Sequence, residues 1–351
     1  MTNLLRRLMT ESARLTRGGK LRDATAVIQT ALRGLTQPAP SPHPPVATEG
    51  IDRPAPAAPK SAAAGGDAFI AGSHTETAGK RDYKLYLPPS VQAGSTGAAL
   101  PLIVMLHGCT QDPDDFALGT GMNELARVRG CFVLYPAQSR MANPGRCWNW
   151  FKPNHQQRGR GEPALLAGMT RAIMASHPID PQRVYVAGLS AGGAMTAILG
   201  QAYPELYAAV GVHSGLRSGA ANDMGSAFSA MSGGAAPAPA SRASAGHTPP
   251  TIVFHGDLDG TVNPANGEQV VAASAGSAVA SSEQGHGPGH DYTRRSYRDA
   301  QGRVRAEHWA VHGAGHAWSG GHAPGTFTDA QGPDASAEML RFFLANPLAM
   351  A

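Results

Sequence analysis

The chain has 351 residues, 42% hydrophobic and 15% charged, with a formal net charge of +4 at pH 7. That length and balance can bury one full α/β core of ~250 residues, and no basic run interleaved with aromatics suggests a nucleic-acid partner. No apolar stretch reaches the ~18 residues needed for a transmembrane helix.

Residues 1–35 carry seven cations (Arg6, Arg7, Arg14, Arg17, Lys20, Arg22, Arg33) against Glu11 and Asp23. Leu4, Leu8, Leu15, then Leu21, Ala24, Ile28, Ala31, Leu32 and Leu35 recur at helical spacing on either side of Gly18-Gly19, which predicts a basic amphipathic helical hairpin. Its apolar segments are too short and interrupted for a secretory h-region, so no signal peptide is expected and the sequence by itself points to the cytoplasm. Two roles stand for this hairpin: contact with an apolar particle surface such as lipid or polyester, or, the favoured one, docking on its own catalytic domain or a partner chain. Residues 36–66 hold eight prolines among alanine and serine and cannot bury enough apolar area to offset ordering. They read as a disordered linker, and the catalytic domain is expected over 67–351.

Pro101 to Leu106 is a continuous apolar run that predicts a buried strand, and it opens into the small-residue loop His107-Gly108-Cys109-Thr110. Cys131 to Tyr135 predicts another strand. Arg183 to Ala187 predicts a third, followed directly by Gly188-Leu189-Ser190-Ala191-Gly192 and a helical stretch to Tyr203. A serine between glycines at such a strand-to-helix corner has its hydroxyl pushed out of the sheet edge, where it can act as a nucleophile. A free serine is a poor nucleophile near neutral pH, so this reading requires a base, an acid and donors for an oxyanion.

The chain supplies candidates for each. A low-complexity insert over 218–250, with Met224, Phe228 and Met231 on one helical face, reads as a surface loop or a mobile flap. Thr251 to Phe254 predicts a strand that runs into a polar turn holding Asp257 and Asp259. His308 to Val311 predicts a late strand, followed by the glycine-rich loop with His316. The order Ser190, Asp259, His316 is that of α/β-hydrolases, in which the N–H after the nucleophile and one from the loop after an early strand face the oxyanion; here these are Ala191 and Cys109. The expected fold is therefore α/β, a mostly parallel sheet with helices on both faces.

His107 to Gln111, Cys147-Trp148-Asn149-Trp150-Phe151, Gly188 to Met195, the His255 to Val262 turn and Gly315 to Trp318 together resemble the esterase family of poly(3-hydroxybutyrate) depolymerases, which overlaps feruloyl and acetylxylan esterases. The resemblance runs from about Asp67 to the C-terminus. It implies Ser190 as nucleophile, His316 as base, Asp259 as acid, with Asp257 the competitor for that role, and Cys109 as an oxyanion donor. No cofactor and no metal are implied. His107 and His255 read as structural, and the histidines near 286–290 and 312–322 as parts of exposed loops. Cys109 and Cys147 leave a disulfide open, while Cys131 reads as a buried thiol.

Trp148, Trp150 and Trp318 are expected to line the substrate cleft, whose flat apolar faces suit acyl groups, polyester chains or phenolic rings. The implied activity is hydrolysis of carboxylic esters, foremost a polyhydroxyalkanoate polymer or oligoester. A carbohydrate esterase of the feruloyl or acetylxylan type is the alternative, and a non-catalytic protein that binds polyester particles is an alternative of another class.

Overall fold

A computed structural model describes residues 68–92, 98–235 and 248–348. The expected hairpin and linker, and residues 236–247 of the insert, lie outside the described residues.

Ten strands form one sheet in the order β1-β2-β4-β3-β5-β6-β7-β10-β9-β8. Its centre comprises β3 (Leu100–Leu106), β4 (Phe132–Pro136), β5 (Ile179–Leu189), β6 (Ala209–His213), β7 (Thr251–Gly256) and β10 (Val304–Val311), all mutually parallel. Every residue of β4, β6 and β7 is buried. Continuous apolar runs are what a strand covered on both faces requires.

Antiparallel pairs extend both edges: β1 (Ala68–Glu76) and β2 (Gly79–Leu87) beside β4, and β9 (Asp291–Arg298) with β8 (Val279–His286) beside β10. β8 is exposed along nearly its whole length, so it carries no apolar signature.

Helices cover both faces, as the sequence reading expects. A short turn of helix, α1 (Pro89–Gln92), follows β2. Against one face lie α4 (Gly161–Ser176), α5 (Ala191–Ala202) and α7 (Ala265–Ala275), which bury Leu166, Ile173, Met195, Ile198, Leu199, Val270 and Val271. Against the other lie α2 (Pro113–Thr120), α3 (Met122–Arg129) and α8 (Ala335–Leu344), which bury Phe116, Met122, Met339, Phe342 and Phe343. Phe343 stacks on Tyr185 of β5 with ring centroids 5.1 Å apart. The insert after β6 forms α6 (Met224–Gly233), started by an Asp223–Ser226 capping box. This helix buries Ala227 and Ala230, packs Met231 against the core and leaves Met224 exposed. No described helix is long and apolar enough to cross a membrane.

Candidate active site

The loops that follow β3, β4, β5, β7 and β10 all leave the carboxyl ends of parallel strands, the edge where ligands bind in open α/β sheets. Ser190 sits between β5 and α5 with φ 57° and ψ −117°. A non-glycine residue there costs ~1–3 kcal/mol and persists only where its surroundings fix it. They do so here: Ser190 N–H donates to His213 O at 2.9 Å, and Ser190 O accepts from Ala194 N–H at 2.9 Å. Close approach of β3 explains the flanking glycines. A Cβ at Gly192 would stand 2.0 Å from Leu106 O and 2.6 Å from His107 O, and one at Gly188 would stand 2.5 Å from the Gly192 carbonyl carbon.

Asp259 and His316 meet. His316 Nδ1 lies 2.7 Å from Asp259 Oδ2, with the imidazole mostly covered and the carboxylate fully so. Asp259 Oδ1 accepts from Thr261 N–H at 2.9 Å and Val262 N–H at 2.8 Å, while His255 Nε2 stands 3.3 Å from Oδ2. Burial alone would raise the Asp259 pKa, but the hydrogen bonds from His255 and His316 outweigh it and hold the carboxyl well below the usual carboxylate range. Asp257 is engaged elsewhere: its carboxylate takes His312 Nδ1 at 2.9 Å and Gly313 N–H at 2.7 Å on the surface. Ser190 Oγ makes no hydrogen bond to His316 among the described residues, and such contacts often tighten only when substrate is bound.

The N–H groups of Cys109 and Ala191 have no hydrogen-bond partner among the described residues, although buried backbone donors are nearly always paired. The loop that carries Cys109 is held from several sides. Gly108 N–H donates to Gln111 Oε1 at 2.9 Å, Thr110 N–H to Gly145 O at 2.7 Å, and Trp148 Nε1 to His107 O at 3.1 Å. A disulfide joins Cys109 to Cys147, leaving Cys131 as a buried thiol that burial pushes up to about 12. Behind the bridge, the buried Glu162 carboxylate accepts from Gln138 Nε2 (2.6 Å), Asn149 N–H (2.7 Å), Asn149 Nδ2 (2.7 Å) and Arg81 Nη2 (3.2 Å).

The tryptophans correct the sequence expectation. Trp148 and Trp318 are 0% and 1% exposed, with Nε1 donating to His107 O and to Ser336 Oγ at 3.0 Å, and Trp150 packs edge-on against Phe151. All three are buried in the core, and the indole N–H groups of Trp148 and Trp318 are satisfied internally, so they offer no face to a cleft.

His213, at the end of β6, ties the serine turn to the segment after His316. Its backbone carbonyl receives the Ser190 N–H, and its ring Nε2 accepts from Ser319 N–H at 2.9 Å, on the segment that follows His316. Trp318 and Phe254 stack on the imidazole at 5.1 and 5.8 Å. Nothing local marks such a role, because the partner lies 106 positions away. His107 is also internal, with Nε2 accepting from Gln138 N–H at 3.1 Å. Among the described residues no His, Cys, Asp and Glu side chains converge in a group able to hold a metal ion.

These buried imidazoles set an acid limit on stability. Burial lowers His107 and His308 to about 4 and His213 to about 3, so all three stay neutral in the folded chain at pH 5 to 7. The unfolded chain protonates them near the ordinary value of ~6.5 and thus binds more protons as pH falls. Stability is therefore lost from about pH 6.5 down toward pH 4, by up to ~1.4 kcal/mol per pH unit for each histidine. Urea unfolding should give a clearly lower free energy at pH 5 than at pH 7.5, and equal values would contradict neutral burial.

A family model described as "Esterase PHB depolymerase" matches residues 81–276. Poly(3-hydroxyalkanoate) depolymerase C of Paucimonas lemoignei is 33% identical over 229 residues, 62% of this chain and 55% of that protein. Feruloyl esterase B of Thermothelomyces thermophilus is 34% identical over 122 residues, 34% of this chain and 41% of that protein. The chain spans about half the length of the curated relatives it matches. Among solved structures, an acetyl xylan esterase from Aspergillus awamori superposes with a TM-score of 0.60 at 19% identity over 79% of this chain and 99% of that one, which supports the α/β-hydrolase fold.

Proposed function

The chain belongs to the esterase family of PHB depolymerases, and on that footing we propose that it is a serine esterase cleaving polyhydroxyalkanoate polymer or oligoester. The observation that carries the reading is the buried Asp259–His316 pair, joined at 2.7 Å, at the same sheet edge as a strained serine turn. In the proposed reaction His316 takes the Ser190 hydroxyl proton as Oγ attacks the ester carbonyl. The N–H groups of Cys109 and Ala191, without a partner among the described residues, receive the developing oxyanion. His316 then returns the proton to the leaving alcohol, and in the second half removes one from the water that hydrolyses the acyl-enzyme. Asp259, fixed by two backbone N–H groups and held well below the usual carboxylate range, keeps the proton on Nδ1 so that Nε2 is left free to take the serine proton.

A carbohydrate-esterase reading is kept because of the stretch of 122 residues shared with a feruloyl esterase. Product release from 3-hydroxybutyrate oligomers, native polymer granules and methyl ferulate, measured side by side, separates the two. Preference for the oligomers or granules is expected; turnover of methyl ferulate alone would replace the polyester reading with the carbohydrate one.

A further inference from the structure

The loop that follows β3 has two sides. One packs on Gly192 just after Ser190, and the other borders a cavity of about 540 Å³ near the carboxyl end of β4. Lys80, Arg81, Arg140 and Arg146 line this cavity against only two carboxylates, Asp82 and Asp112. The four cations are not equivalent. Arg81 is buried and fixed, with Nε on Gln138 Oε1 at 2.8 Å and Nη2 on Glu162. Arg146 is paired, with Nη1 2.9 Å from Asp112 Oδ2 and 3.4 Å from Gln111 O. The side chains of Lys80 and Arg140 have no partner among the described residues.

The cavity wall is built into the oxyanion loop. Arg146 precedes Cys147, the disulfide partner of Cys109, and Thr110 N–H is bonded to Gly145 O. Thr110 and Arg146 both have positive φ, 69° and 53°, which is strain of the kind retained at functional sites. Two uncommitted cations beside two anchored ones outnumber Asp82, the one lining carboxylate without a side-chain partner among the described residues, and make a receptor for an anion of modest size. Its volume lies within the ~300–1,000 Å³ usual for small-ligand sites, and none of its lining residues is aromatic, so stacked bases find no platform there.

We propose that this cavity binds the free carboxylate at the acid end of an oligoester substrate. The inference rests on the polyester reading above. Every oligomer of a hydroxy acid ends in one carboxylate, and every cleavage creates another, whereas the interior of the polymer is neutral. A cation-lined cavity one loop away from the serine would therefore favour chain ends and short oligomers over mid-chain esters.

The test compares 3-hydroxybutyrate trimer as the free acid with its methyl ester, in the wild type and in a Lys80→Gln/Arg140→Gln variant, with melting curves to check folding. The wild-type ratio of kcat/KM, acid over methyl ester, should exceed one and fall about tenfold in the variant, the effect of losing two partly exposed ion pairs. Raising the salt concentration should lower the wild-type ratio in the same direction. Calorimetric binding of the free-acid trimer to Ser190→Ala protein, with and without the two substitutions, should show the same tenfold loss without any turnover. A ratio unchanged by both the substitutions and salt overturns the cavity assignment. Failure of the wild type to cleave either trimer, with short aryl esters still hydrolysed, instead overturns the polyester reading on which it rests.

Discussion

Ser190→Ala is expected to lower kcat/KM for a short p-nitrophenyl ester by at least ~10⁴-fold, the scale seen when the nucleophile of a serine hydrolase is removed. The fold should be unaffected. The turn is held by backbone contacts, Ser190 N–H to His213 O and Ala194 N–H to Ser190 O, and alanine tolerates the positive φ of 57° no worse than serine does. The side-chain oxygen forms no hydrogen bond among the described residues, so its removal breaks nothing in the ground state. A variant with turnover within tenfold of the wild type would remove Ser190 from the mechanism.

The second large effect separates two neighbouring acids. Asp259→Asn should cost on the order of 10⁴ in kcat, because an amide at this position favours the wrong histidine tautomer while keeping the shape of the turn. Its carbonyl can still accept from Thr261 and Val262 N–H, so stability should change much less than rate. Asp257→Asn should stay within about tenfold, since that carboxylate serves His312 and Gly313 on the surface and has no bond to His316. Kinetics on both variants decide the matter, and the reverse ranking would move the acid to Asp257.

The buried strands were plain in the sequence because a strand covered on both faces must be apolar without interruption, as in Leu102 to Leu106 and Thr251 to Phe254. The edge strands were not. β8 and β9 are held by ladder bonds to a neighbour, and a chain such as Val279 to His286, exposed almost throughout, needs no hydrophobic pattern to join a sheet. Ser190, Asp259 and His316 could be picked out because each sits just past a strand, in loops of small and polar residues. The tryptophans are ambiguous in sequence for a related reason. An aromatic next to a site motif looks the same in sequence whether its face meets substrate or the core, and only the partners of Nε1, His107 O for Trp148 and Ser336 Oγ for Trp318, decide between them. His213 and Glu162 were invisible because their roles consist of contacts with residues far along the chain.

The Cys109–Cys147 bridge has a consequence for how the protein meets its chemical surroundings. Disulfides rearrange when a thiolate attacks one of the sulfurs, and the third cysteine, Cys131, is enclosed in the sheet with its thiol kept protonated. The chain thus contains no internal agent able to scramble its own bond. An external reductant is the one route to opening it, and it would remove one restraint on the segment bearing Cys109 N–H, leaving the bonds of Gly108 and Thr110 to hold it more loosely. Ester turnover would then report on the thiol balance of the medium, slowing as the bridge opens and recovering on reoxidation, with no mispaired species to accumulate between.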